Sequence, residues 1–145
     1  MFVSQILSMK STQGVLTINP GTSIADAVGE LGARRIGALV VSTNGTHAEG
    51  ILSERDIVRE LGREGAAVME RTVGDLMTRD LQTCVPGDDA QDILSRMTEG
   101  RFRHMPVVEN DTLIGLVSLG DVVKARLSEV SMEKDALTAM VSGYS

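Results

Sequence analysis

Gly50-Ile51-Leu52-Ser53-Glu54-Arg55-Asp56-Ile57-Val58 returns as Gly115-Leu116-Val117-Ser118-Leu119-Gly120-Asp121-Val122-Val123, 65 residues further along the chain. Working outward from this pair, Thr17-Ile18-Asn19-Pro20-Gly21 matches Thr83-Cys84-Val85-Pro86-Gly87 at an offset of 66, and Ala38-Leu39-Val40-Val41 aligns with Met105-Pro106-Val107-Val108 at 67. The lead-ins agree as well, Val3-Ser4-Gln5-Ile6-Leu7 with Val73-Gly74-Asp75-Leu76-Met77. Matched blocks in the same order identify a tandem duplication. The drift in offset falls between predicted elements, where insertions are tolerated.

Each copy has one layout. A capped helix follows Pro20 or Pro86, with apolar faces Ile24, Ala27, Val28, Leu31 and Ala90, Ile93, Leu94, Met97. Both sets have the i, i+3, i+4, i+7 spacing of a half-buried helix. A short continuous apolar run follows, 38–41 or 105–108, which suits a strand covered on both faces. A polar turn (42–49 or 109–112) and a second apolar run (50–53 or 113–118) complete a β-hairpin. A second helix starts directly after Ser53 or Ser118 and carries Ile57, Val58 and Leu61, or Val122, Val123 and Leu127. Units of about 60 residues bury too little surface to be robust alone, so the two copies are expected to pack their sheets together across a pseudo-two-fold axis. The predicted boundaries are 1–64 for repeat one with its lead-in, 65–72 for a connector, 73–128 for repeat two and 129–145 for a C-terminal tail. Gly62 and Gly65 read as helix stops, and Met132, Leu137, Met140 and Val141 share a possible helical face in the tail.

Composition bounds the function. The 145 residues are 42 % apolar and 23 % charged, ordinary for a protein with a buried core. No apolar run approaches the 18 or so residues needed to span a bilayer. Aromatics are 2 %, so aliphatic side chains must supply the core. Net charge is −6, and neither half is basic: residues 1–70 hold six Lys/Arg against eight Asp/Glu, and 71–145 hold eight against twelve. Neither nucleic acid nor a membrane surface is therefore expected as a partner. Cys84 is the single cysteine, which excludes an internal disulfide or a cysteine-rich metal site; next to Val85-Pro86 it reads as a buried structural thiol. The N-terminal residues lack a basic stretch followed by a long apolar core, so no signal peptide is read and the cytoplasm is the default.

The repeated Gly-x-x-Ser-x-x-Asp admits two readings. As structure, Ser followed three residues later by Asp between a strand and a helix is a capping box, with Gly50 and Gly115 easing a tight start to the strand. As function, a helix N-terminus leaves N–H groups unpaired and attracts phosphate. The Ser53 or Ser118 hydroxyl can donate to a phosphate oxygen, and the Asp56 or Asp121 carboxylate can accept from a ribose diol. Anion donor plus diol acceptor, duplicated, describes a ribonucleotide site. Cations lie nearby: Arg55 inside the first motif, and Arg103 and His104 leading into a strand. Arg34 and Arg35, at the like place in copy one, read as a solvated edge, and His47 as surface. Thr17 and Thr83 hold matched positions three residues before proline.

These residues resemble a known family. The Gly-x-x-Ser-x-x-Asp repeats, the Thr-x-x-Pro lead-ins, Ile36-Gly37-Ala38-Leu39-Val40-Val41, Val73-Gly74-Asp75-Leu76-Met77-Thr78 and Arg103-His104-Met105-Pro106-Val107-Val108 look like a tandem pair of CBS domains, the Bateman module. The resemblance covers roughly 3–128. It implies an α/β (α+β) fold of two βαββα repeats and two pseudo-symmetric clefts for adenosine-containing ligands. Carried over, ribose falls to Asp56 and Asp121, phosphate to Ser53 and Ser118, and adenine to backbone near Thr17, Thr83, Ala38 and Arg103–Met105. AMP, ATP or NAD are the implied ligands, none as an obligatory cofactor. Copy two has Leu119-Gly120 where copy one has Glu54-Arg55, so the clefts are expected to differ. No regulated enzyme or transporter domain accompanies the pair, so a regulated protein in trans and a homodimer are the expected partners.

Two rival classes remain. An enzyme has little support: the chain has no His-Glu-x-x-His, P-loop lysine motif or Gly-x-Ser-x-Gly, and nothing pairs a nucleophile with a base. A ligand-free interaction module would use both motifs only as helix caps, with Cys84 as a possible redox link.

Overall fold

The computed structural model describes residues 1–10 and 15–142. In chain order the elements are α1 (Val3–Met9), β1 (Thr17–Ile18), α2 (Ile24–Arg34), β2 (Ala38–Val41), β3 (Gly50–Ser53), α3 (Glu54–Glu64), a 3-10 helix (Gly65–Glu70), α4 (Val73–Leu76), α5 (Ala90–Gly100), β4 (His104–Glu109), β5 (Thr112–Ser118) and α6 (Leu119–Ser142). Helix α2 starts at Ser23, whose side chain accepts the Asp26 N–H, and α5 starts at Asp89, which accepts the Gln91 N–H. Both end on an arginine in the left-handed region, Arg35 (φ 54) and Arg101 (φ 57), at matched places in the repeats. The predicted apolar faces are the ones buried: Ile24, Ala27 and Leu31 in α2, and Ala90, Ile93 and Met97 in α5.

In repeat one, β1 runs parallel to β2 and β2 antiparallel to β3, with Ala38 opposite Ser53. In repeat two, β4 and β5 form a hairpin with His104 opposite Ser118, closed by Asn110 (φ 52) and Asp111 (φ 61). Two successive left-handed residues give the turn that matches strand twist. The counterpart of β1 shrinks to a single parallel bridge between Cys84 and Val107. Cys84 is 2 % exposed, its Sγ lies 3.7 Å from the Pro106 carbonyl, and burial pushes the thiol up to about 12. It is protonated at neutral pH and unreactive, since the thiolate is the nucleophile.

Two hydrophobic cores form, and their membership crosses the sequence repeats. Val73, Leu76 and Met77 from the second lead-in lie in the core of repeat one with Ile24, Leu39 and Leu52. Val3 and Ile6 from the first lead-in lie in the core of repeat two with Cys84, Ile93 and Met105. The backbone bonds that fix this exchange are images of each other. The Val3 and Ser4 N–H groups donate to Asp88 O (2.9 Å) and Pro86 O (3.0 Å), and those of Val73 and Gly74 to Thr22 O and Pro20 O (both 2.8 Å). Packing units therefore differ from the boundaries 1–64 and 73–128. Residues 65–72 are more than a connector, since Val68 is fully buried in core one. Gly65 (φ 73) caps α3 while Gly62 lies inside that helix. The 129–142 part of the expected tail continues α6, and 143–145 lie outside the described residues.

The exchange gives the motif glycines a definite role. A Cβ on Gly50 would lie 2.7 Å from Met77 Sδ and 3.0 Å from the Thr78 carbonyl, and one on Gly115 2.7 Å from Leu7 Cδ2. Each glycine therefore receives the lead-in that crosses from the other repeat, and easing the start of a strand is the lesser part of its role. At Gly50 a backbone oxygen limits the space, whereas at Gly115 the obstacle is the end of a rotatable side chain. Gly50→Ala is expected to lower unfolding free energy by about 1–3 kcal/mol, the usual range for overpacking, and Gly115→Ala by less. Urea titrations of the two variants check this, and a larger loss at Gly115 would contradict it.

Candidate functional site

Helices α3 and α6 each begin where a hairpin strand ends. The Ser53 Oγ accepts the Asp56 N–H (3.3 Å), and Asp56 Oδ2 accepts the Ser53 N–H and hydroxyl, both at 3.0 Å. In α6 the Asp121 N–H donates to Ser118 Oγ (3.1 Å) and the Ser118 N–H to Asp121 Oδ2 (2.9 Å). The capping role of the motif is thus realised in both copies. The caps also face space. Cleft one, beside Ser53 and Asp56, has a cavity volume of about 530 Å³, and cleft two, beside Ser118 and Asp121, about 910 Å³. Both lie in the range of small-molecule sites.

The walls come from the exchange of lead-ins. The chain after α4 brings Thr78, Asp80 and Gln82 to cleft one, and the chain after α1 brings Lys10 and Leu16 to cleft two. Of the residues singled out from sequence, Ser53, Arg55, Asp56, Arg103 and His104 meet in cleft one, and Ala38, His104, Ser118 and Asp121 in cleft two. Thr17, Thr83 and Met105 line neither. Thr17 borders a shallow depression against α2, the Thr83 carbonyl accepts from Arg96 (2.8 Å), and Met105 is fully buried in core two. Successive residues of an extended chain point to opposite sides, and it is the neighbours Leu16 and Gln82 that reach the clefts. Arg34 and Arg35 border cleft two, Arg34 also pairing with Glu30 (2.7 Å). His47 is exposed.

The two carboxylates differ in availability. Asp56 has an 8 % exposed side chain, and Arg59 donates to its Oδ1 (3.1 Å) while Ser53 occupies Oδ2. Asp121 is 25 % exposed; its Oδ2 accepts from Ser118 and from Lys10 Nζ (2.9 Å), and its Oδ1 has no partner among the described residues. Burial pushes the Asp121 carboxyl up, but hydrogen bonds from Lys10 and Ser118 and the ammonium charge outweigh it, holding it below the ordinary carboxylate value. The first amides of the helices are engaged, Glu54 N–H with Gly37 O (2.9 Å) and Leu119 N–H with Arg103 O (2.7 Å).

Lys10, Asp80 and Arg59 also line the clefts and are not singled out by the sequence. The signal for the first two was a charge reversal: aligning Val3 with Val73 sets Lys10 against Asp80. It has meaning only once the lead-ins are known to cross to the opposite repeat.

His104 and Gly37 border both clefts, and they are matched residues of the two repeats. A Cβ on Gly37 would lie 3.5 Å from the His104 imidazole, so one ring, without a counterpart from repeat one, fills the partition. Burial lowers its pKa, against the raising effect of Glu54 and Asp121; Lys10 and Arg103 lower it further.

Comparison with known proteins agrees with this geometry. The CBS domain family model matches residues 3–63 and 73–128. The chain belongs to the CBS-domain family. Among curated CBS proteins, the mitochondrial CBS domain-containing protein CBSX3 of Arabidopsis thaliana is 36 % identical over 125 residues, 83 % of this chain and 61 % of that protein. The chain thus spans less than two thirds of that relative, and 22–24 % of longer Arabidopsis CBS proteins. Among solved structures, the CBS-domain containing protein ATU1752 from Agrobacterium tumefaciens superposes with a TM-score of 0.82 at 40 % identity, covering 87 % of this chain and 99 % of that one. The CBS domain pair of MJ0100, in complex with 5′-methylthioadenosine and S-adenosyl-L-methionine, has a TM-score of 0.77 at 21 % identity over 89 % of this chain and 98 % of that one. The fold is that of a CBS pair, mixed helix and strand with small sheets.

The His104 environment has a pH signature. Its pKa is lower in the folded chain than in the unfolded one, so between the folded value and about 6.5 the unfolded chain binds more protons. Stability is therefore expected to fall as pH drops through that window. His104→Gln removes this component. Its stability relative to wild type, followed by urea titration from about pH 7.5 to about pH 5, should improve as pH falls. A pH-independent difference would show the ring to be solvated.

Proposed function

We propose that this CBS pair is a regulatory sensor of adenine nucleotides, of the AMP, ATP or NAD type, acting on another protein in trans as a homodimer in the cytoplasm. The observation that carries the reading is that both copies of the Ser-x-x-Asp box open into a nucleotide-sized cleft between the repeats. CBS proteins are in general regulatory and ligand-binding, and the adenosine compounds held by the MJ0100 pair, a protein of the same fold, support the choice of ligand class. In cleft two Oδ1 of Asp121, unpartnered among the described residues, accepts from a ribose hydroxyl. The charged substituent falls to Ser118 and to the cations that line the same cleft, Lys10, Arg34 and Arg35. His104 stands between the two sites and gives a ligand in either cleft a residue in common with the other. Exposed apolar side chains on α3 and α6, Val58 and Leu127 at 66 % each, support pairing with a second copy. No helix among the described residues is long and apolar enough to cross a membrane.

A second reading has its own observation. Both oxygens of Asp56 are engaged by Ser53 and Arg59, so in cleft one the box can act as a helix cap alone. Calorimetric titration of AMP, ATP and NAD into wild type, Asp56→Ala and Asp121→Ala separates the two. Hydrogen bonds to a charged group contribute about 1.5–3 kcal/mol each, so Asp121→Ala should weaken binding by at least about tenfold, with the smaller loss at Asp56→Ala. Equal heats for wild type and both variants would leave only the caps, and turnover of an added nucleotide would make the protein an enzyme. With no Trp and one Tyr, a co-purifying adenine would dominate the near-ultraviolet spectrum.

A further inference from the structure

Lys10 holds the carboxylate that cleft two would use for sugar. Its Nζ donates to Asp121 Oδ2 (2.9 Å) and to the Leu116 carbonyl (2.8 Å), with the lysine side chain 29 % exposed. Repeat one is built differently at the matched positions. Ile51, the counterpart of Leu116, has its carbonyl bonded by the backbone N–H of Thr78 (2.8 Å), and Asp80, the counterpart of Lys10, borders cleft one as an acid. The difference starts in the lead-ins. Helix α4 stops at Leu76 and lets the following backbone pair with β3, whereas α1 continues to Met9 and a side chain makes the corresponding bond to β5. Cleft two also has Arg34 and Arg35 on its border.

An ammonium has three protons to donate, and the carbonyl and Asp121 take two. A ribose diol that grips both oxygens of Asp121 must displace Lys10 from Oδ2. An uncharged riboside then leaves a partly buried ammonium without its charge-assisted hydrogen bond, which is unfavourable. A ligand carrying phosphate replaces that bond, and adds an anion beside the ammonium, in the same step.

Resting on the nucleotide reading above, we propose that Lys10 is the specificity-determining residue of cleft two, admitting phosphorylated ribonucleosides and discriminating against uncharged ones. Cleft one, with Asp80 in the matched place, does not discriminate through this position. The pair in the empty cleft is thus a latch that an anionic ligand opens.

The test is calorimetric titration of the full chain with AMP and with adenosine, for wild type, Lys10→Met and Lys10→Gln. Lys10→Gln keeps a donor for the Leu116 carbonyl and guards against loss of folding in the methionine variant. Expected is a preference for AMP over adenosine in wild type that falls by about tenfold in both lysine variants, with adenosine binding as well as before or better. An AMP preference that persists in both lysine variants, while Asp121→Ala still weakens AMP, would overturn the role of Lys10 and leave the nucleotide reading standing. No binding of AMP or adenosine to wild type would overturn the role of Lys10, and no binding of ATP or NAD either would overturn the nucleotide reading as well.

Discussion

The structure depends on a close approach between two lead-in segments and two strands. Each lead-in leaves its own sequence repeat and packs on the other, and each lands where the receiving strand has a glycine, Met77 over Gly50 and Leu7 over Gly115. Apolar side chains carried across, Val3 and Ile6 one way and Val73 and Leu76 the other, are buried to 6 % exposure or less. Burial of such side chains contributes about 1.5–3 kcal/mol apiece, enough to bind two small cores into one folding unit.

The same crossing creates the clefts. A helix start capped by Ser and Asp is common and by itself binds nothing. Here the chain that follows each lead-in passes beside such a start, turning a helix terminus into one wall of a cavity. Because the two lead-ins differ by a turn of helix, the walls differ too. Cleft one receives an acid in Asp80 and has a carboxylate already engaged by Arg59; cleft two receives Lys10, and among the described residues one oxygen of Asp121 stays open. A duplicated sequence has produced two sites of unlike charge, joined at a partition built from one imidazole.

Much of this was legible in the chain. The apolar spacing in α2 and α5, the run Ala38–Val41 and the strand–helix junctions at Ser53 and Ser118 reappear in the structure with boundaries shifted by a residue at most. Local physics sets them, through periodicity, capping and turn chemistry. The reading of Thr17, Thr83 and Met105 was carried by family resemblance; one residue along the chain separates wall from core, and the side a strand residue faces depends on what packs against it. The tail's helical face of Met132, Leu137, Met140 and Val141 was legible, but not its continuity with α6, because these side chains are exposed and no packing within the chain marks where one helix would end and another begin.

The sequence by itself determined the duplication, the two capped helix starts and the acid in each, because those follow from residues near one another along the chain. Only the tertiary structure decided which lead-in meets which motif, and with it the identity of Lys10 and Asp80 as opposing members of two clefts. That pairing joins residues more than a hundred positions apart in one case, Lys10 with Asp121. Spacing and periodicity report on neighbours along the chain, and an exchange of segments between repeats leaves both unchanged.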